Sequence, residues 1–285
     1  MSRNNKIRKL HSSAQPNRIG DGRSRWKWAA AIAAVAALAV GGTVAYSKLH
    51  DIWIGQCVVE DVSRQVTVNT GAHIKAGLIL DQFGIRKGAN LALIDFAARR
   101  RAILEKLPNI RALTVERQLP ERVTITVEER EPVARMNVRG NKSVTGRVVD
   151  SEGVVFLRQA GTSLLPVIVE RAQGGTAVGK KLDGRGLAAL KVLEAAGKRD
   201  CSELGVLVAD ATPQDYLLLT FGPSYSRAKF AWDGMETPTT SSEQNLASQL
   251  KRLLNAARAN LDGGSQLWNA TIQGIVTVDT KEPIL

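Results

Sequence analysis

The chain has 285 residues, 44% hydrophobic and 23% charged, which is enough apolar material for two folded domains and too much for a disordered polymer. Its formal net charge of +12 is unevenly placed: residues 1–28 carry eight Lys or Arg against the single acid Asp21, leaving +7 there and +5 on the other 257 residues. The folded part has no dominant positive field and no basic face interleaved with aromatic rings, so nucleic acid is not an expected partner.

In chain order, residues 1–28 read as a basic, disordered cytoplasmic arm containing Ser12, Ser13, Pro16, Asn17 and Gly20. From Ala29 to Tyr46 every residue is Ala, Ile, Val, Leu, Gly, Thr or Tyr. As a helix this run spans about 27 Å, close to the hydrocarbon thickness of a bilayer. Trp26, Trp28 and Tyr46 stand where aromatic rings sit at headgroup level, and Lys48 can snorkel outward. The preceding bases put the N-terminus in the cytoplasm. Ala37-Leu38-Ala39 resembles a signal-peptide cleavage site, but the long polar start and the continuation of the run to Tyr46 favour a retained anchor over residues 29–47. A connector over 48–59 follows.

Residues 60–131 read as strand, helix, helix, strand, strand. Val62, Val66 and Val68 suggest a strand stopped by Asn69-Thr70-Gly71, and Ile74, Leu78, Ile79 and Phe83 recur at helical spacing before Gly84. A second helix begins near Asp95, carries Ala98, Ala102, Ile103 and Leu107, and ends at Pro108. Leu113, Val115, Arg117 and Leu119, then Pro120-Glu121, then Val123, Ile125 and Val127 alternating with Thr124, Thr126 and Glu128 describe a hairpin with one buried face.

Residues 132–280 read as a mostly β domain with flanking helices, followed by a short tail over 281–285. Arg147 to Phe156 suggests two strands about a turn closed by Gly153, and Pro166 starts another strand through Val169. Leu187, Leu190 and Leu193 suggest a helix ending at Gly197, and Tyr216 to Gly222 a strand. Ser242 to Leu261 carries Leu246, Leu250, Leu253 and Leu254 on one stripe. Ile272 to Val278 is the last strand candidate, interrupted by Gly274.

Catalytic and metal-binding patterns are not visible. His11, His50 and His73 are far apart, Cys57 and Cys201 are 144 positions apart and read as two unpaired buried thiols, and neither His-Glu-x-x-His nor Cys-x-x-Cys is present. No nucleophile elbow or phosphate-binding glycine loop occurs, so no cofactor, metal or small-molecule substrate is expected. Glu128 and Glu129, neighbours on a strand, face opposite sides and make a poor acid–base pair.

Several short strings together resemble the bacterial division proteins of the FtsQ/DivIB family, whose first extracytoplasmic domain is a POTRA domain. They are Gly88-Ala89-Asn90-Leu91 with Ile94-Asp95, Leu107-Pro108, the spaced Leu113, Val115, Arg117 and Leu119-Pro120, and Val127-Glu128-Glu129-Arg130-Glu131-Pro132-Val133-Ala134. They cover roughly residues 60–157, directly after the single span. The resemblance implies an α+β architecture: one N-terminal transmembrane helix, a POTRA-like β-α-α-β-β domain, then an FtsQ-type β domain. It implies a non-enzymatic bitopic scaffold of the divisome in the inner membrane at the septum, capturing FtsB/FtsL-type bitopic partners by edge-strand addition. Residues 272–278 then become the candidate contact, with Ile272, Ile275, Val276, Thr277 and Val278 and with Trp268 either an aromatic anchor or core. The family's usual closing "ID.RY.NG" is absent there: this chain reads Ala270-Thr271-Ile272-Gln273-Gly274-Ile275. Arg99, Arg100 and Arg101 are a second candidate surface, although consecutive helical residues diverge by about 100°. The competing classes are a secreted or anchored periplasmic binding protein, a transport-system POTRA protein, and a periplasmic hydrolase.

Overall fold

The computed structural model describes residues 22–120, 122–140, 146–171, 175–237, 239–259 and 265–278. The basic arm up to Asp21, Glu121 of the hairpin turn and the C-terminal tail lie outside the described residues. The chain divides into two units, Met1–Cys57 and Val58–Leu285.

The first unit is the helix α1 (Gly22–Gln56), 35 residues and therefore about 52 Å long. Its apolar side chains are uncovered: Ile32, Val35, Leu38 and Val40 are 63–77% exposed. A helix with apolar side chains this exposed has lipid as its natural solvent. The aliphatic hydroxyls of Thr43 and Ser47 are satisfied internally, Thr43 donating to the Val40 carbonyl (2.8 Å) and Ser47 to that of Val44 (2.9 Å), as a membrane environment requires. The helix runs well past residue 47, because Ser47 to Ile54 contains neither proline nor glycine; most of the expected connector is helical.

In the second unit, Asp61 accepts from the Ser63 amide and caps a single helical turn, α2 (Val62–Gln65). The first strand therefore starts at Val66, and Val62 belongs to the turn: β1 (Val66–Asn69). Two helices follow, α3 (Ala76–Phe83), stopped by Gly84 at φ 66°, and α4 (Phe96–Lys106), whose cap Asp95 accepts from the Ala98 amide at 2.9 Å. The hairpin β2 (Ile110–Gln118) and β3 (Arg122–Glu129) completes a sheet of order β1-β3-β2, with β1 parallel and β2 antiparallel to β3. Alternation is obeyed: Val123, Ile125 and Val127 are buried with Ile79, Phe83, Ile103 and Leu113.

The remainder builds a nine-stranded sheet. Its strands are β4 (Pro132–Val138), β5 (Arg147–Asp150), β6 (Val155–Leu157), β7 (Val167–Glu170), β8 (Val206–Asp210), β9 (Leu217–Phe221), β10 (Ser226–Phe230), β11 (Leu267–Ala270) and β12 (Thr277–Val278). Helices α5 (Gly184–Ala196) and α6 (Thr240–Arg258) complete the module. The order is β12-β11-β10-β9-β8-β7-β4-β5-β6, with β4 parallel to β7, β7 to β8 and β10 to β11. Leu190 and Val192 of α5 and Leu246, Leu250, Leu253 and Leu254 of α6 bury into one core with Ile168, Leu217, Leu219 and Phe230 of the strands.

The two edges of this sheet differ. At β6 the chain covers itself: the Val155 amide donates to the Lys180 carbonyl (2.9 Å), the Val155 carbonyl accepts from the Gly179 amide (2.7 Å), and Val154 bridges Lys181. Among the described residues nothing pairs with the outer side of β12.

The segment Glu128 to Glu131 joins the sheets, and each of its four residues has a separate partner. Glu128 pairs with Arg111 (2.9 Å); the Glu129 carboxylate accepts from the amides of His73 (3.1 Å) and Ile74 (2.8 Å); Glu131 lies 3.5 Å from Arg158. Arg130 pairs with the buried Asp150 and with Glu152 (3.0 Å) while its Nε donates to the Pro108 carbonyl (3.0 Å). Asp150 in turn accepts from the amides of Glu152 (3.1 Å) and Val154 (2.8 Å), closing the β5–β6 turn.

Candidate partner-binding edge

The candidate site is built by three consecutive pieces of chain. β11 lies parallel to β10, and Trp268 on it is 5% exposed, packed into the core of the nine-stranded sheet. Of the two readings open for Trp268, the structure has the core one, and a surface anchor does not fall to it. Asn269 ends the strand: its side-chain oxygen accepts from the Thr271 amide (3.2 Å) and hydroxyl (2.8 Å).

Ile272 to Ile275 is a turn, where a strand over 272–278 interrupted at Gly274 is the expectation from sequence. The Ile275 amide donates to the Ile272 carbonyl at 3.1 Å, and Gly274 at the third place has φ 82°, a conformation that favours glycine. Only Thr277 and Val278 are extended, pairing antiparallel with Asn269 and Trp268. The outcome is a short edge strand flanked by apolar side chains in solvent: Ile272 is 61%, Ile275 51% and Val278 40% exposed, while Val276 is half-buried against the core.

Helix α6 lies against this turn. Gln249, fully buried, directs both ends of its side-chain amide at residues 270–275, and Gln273 reaches back to the Asn245 carbonyl (3.1 Å) and the Ser248 hydroxyl (3.0 Å). The helix itself is fixed at its start, where Thr239 caps the Ser242 amide and the Ser242 hydroxyl both donates to the Gly234 carbonyl (2.7 Å) and accepts from the Trp232 indole (3.1 Å). Sequence reasoning passed over Gln249. The signal was present, since position 249 falls on the stripe formed by Leu246, Leu250 and Leu253 and carries the wrong kind of side chain for it.

The second candidate surface is dispersed. Arg99 lies against Gly84 at the end of α3, Arg100 donates from Nε to the Leu113 carbonyl of β2, and Arg101 is exposed, so the three side chains do not form one patch. Both cysteines are buried free thiols, and burial pushes the Cys201 thiol above its ordinary value. Among the described residues no group of three or more His, Cys, Asp or Glu is placed to hold a metal ion.

Residues 63–130 match the family described as the POTRA domain, FtsQ-type, the stretch that here forms the three-stranded sheet with α3 and α4. The chain is similar to a "Cell division protein FtsQ" of Corynebacterium glutamicum, at 26% identity over 200 residues, covering 70% of this chain and 78% of that one. That similarity extends beyond any POTRA domain into the nine-stranded sheet. With an apolar helix long enough to cross a membrane ahead of an FtsQ-type POTRA sheet and a large sheet module after it, the chain is similar to the FtsQ/DivIB division proteins in its order of parts.

Proposed function

We propose that the protein is a bitopic, non-enzymatic scaffold of bacterial cell division, anchored by α1 with the basic arm in the cytoplasm, whose POTRA and β modules recruit other division proteins outside it. The observation that carries this reading is the open β12 edge. Among the described residues, the nine-stranded sheet closes one edge with its own chain and has nothing paired on the other, beside the exposed side chains of Ile272, Ile275 and Val278. An extended partner segment adds there by main-chain hydrogen bonds, with alternate side chains meeting the apolar residues. FtsB/FtsL-type bitopic proteins are the partner class that the FtsQ/DivIB resemblance suggests. Anchorage of both proteins in one membrane raises their effective concentration, so a short edge suffices for capture.

The test is cellular. In cells depleted of the native copy, a fluorescent fusion of the full chain is expected to form a midcell band and restore division. Thr277→Pro removes either an outward amide or the β12–β11 pairing; both abolish the edge, and the cells are expected to filament. Even envelope staining by the intact fusion would instead indicate a transport-type POTRA protein or an anchored binding protein. Cleavage of peptidoglycan by the purified chain would indicate a hydrolase.

A further inference from the structure

Gln249 is 0% exposed in the middle of α6, between core leucines. A primary amide in such a position costs stability unless its polar atoms are used. All of them are used by one short piece of chain. Nε2 stands 3.1 Å from the Ala270 carbonyl, 3.0 Å from that of Ile272 and 3.2 Å from that of Ile275, and Oε1 accepts the Gly274 amide at 2.9 Å. Two N–H hydrogens are thus shared among three carbonyls, and the amide spans the whole crossing from the end of β11 to the residue before Val276.

Gln273 fastens the same turn from outside, donating to Asn245 and Ser248 and accepting from the Asp233 amide at 3.4 Å. Held at these points, the turn cannot collapse so as to bury its own isoleucines; Ile272 and Ile275 stay in solvent although apolar core lies one helix away. A leucine at position 249 would continue the stripe of α6, but it would leave the turn's carbonyls without their buried donor.

We infer that Gln249 is a positioning residue for partner capture: it holds the 270–275 turn so that Ile272, Ile275 and the β12 edge are already arranged for an incoming extended apolar segment. This rests on the edge-docking reading above. Ordering the turn in advance removes a cost that binding would otherwise carry.

The experiment uses the full chain, in detergent for hydrogen exchange and thermal unfolding, and in depleted cells for division. Gln249→Leu is expected to unfold cooperatively, to lose about tenfold or more of the exchange protection of the Gly274 amide, and to leave cells filamentous. Gln249→Glu is expected to do the same at neutral pH, where a carboxylate faces three carbonyls. Its Gly274 protection factor should then recover as acid restores a donor, while that of the parent chain does not rise. Normal division by Gln249→Leu with a freed turn overturns the inference, while filamentation by Thr277→Pro alongside it leaves the edge reading standing. Normal division by both variants removes the edge reading as well. If Gln249→Leu fails to fold, a Gly274 protection factor in Gln249→Glu that ignores pH, or normal division by Gln273→Ala with a freed turn, overturns the inference in its place.

Discussion

Arg130 serves three acceptors on two modules, and its chemistry suits no other residue. Its side chain is 13% exposed and that of Asp150 5%, so removing the guanidinium leaves a carboxylate in a site where water reaches it poorly. Arg130→Met is expected to lower stability by about 2–4 kcal/mol in urea unfolding, the usual cost of breaking a buried pair. Arg130→Lys should recover less than half of that, because one ammonium cannot meet Asp150, Glu152 and the Pro108 carbonyl in a planar fork. The string Glu128-Glu129-Arg130-Glu131 is conspicuous in the sequence, and that Glu128 and Glu129 diverge follows from strand geometry. Its partners were not legible there, since Arg111, His73, Asp150 and Arg158 are all distant in sequence and are brought together only by the two sheets. Gln249 is the opposite case, since its oddness is local and its purpose, a turn more than 20 residues onward, is not.

At the scale of elements, α6 depends on its entry. Gly234 has φ 84°, and a Cβ there would stand 2.9 Å from that of Ser242, the residue that ties Trp232 and Gly234 to the helix start. Gly234→Ala is expected to cost about 1–3 kcal/mol through strain and displacement of Ser242. Thermal unfolding followed by Trp fluorescence measures it. The amphipathic helices and the hairpin β2–β3 were legible because each has one wet face, which prints a period on the sequence. β11 was not: Leu267-Trp268-Asn269-Ala270 is short, parallel and almost wholly buried, so nothing alternates. Isoleucine and valine make 272–278 look like a strand interrupted only at Gly274; its whole first half is a turn because Gly274 supplies a positive φ and a buried amide holds the carbonyls.

Across the whole second unit, acid should loosen the junction between the sheets. Hydrogen bonds from Arg130 and Arg111 hold the Glu152 carboxyl below the ordinary carboxylate range. A depressed folded value means the contribution is fully present above the unfolded value of about 4.3 and is lost as pH falls through the folded one. Melts from neutral pH downward are therefore expected to show the parent chain more stable than Glu152→Gln at pH 6, with the two curves converging once pH has fallen below the ordinary carboxylate range. Equal separation at all pH values would remove Glu152 from the acid response.

The unequal edges of the large sheet set a limit on assembly. Among the described residues, the β6 side is occupied by residues 179–181 of the same chain and the β12 side is unpaired, so a strand added at β12 finds no matching ledge behind it. Addition through this sheet ends after a single step, giving one captured segment per molecule and no route to a running β ribbon. The number of complexes at a division site would then be counted by copies of this protein, and any larger array must draw on other surfaces.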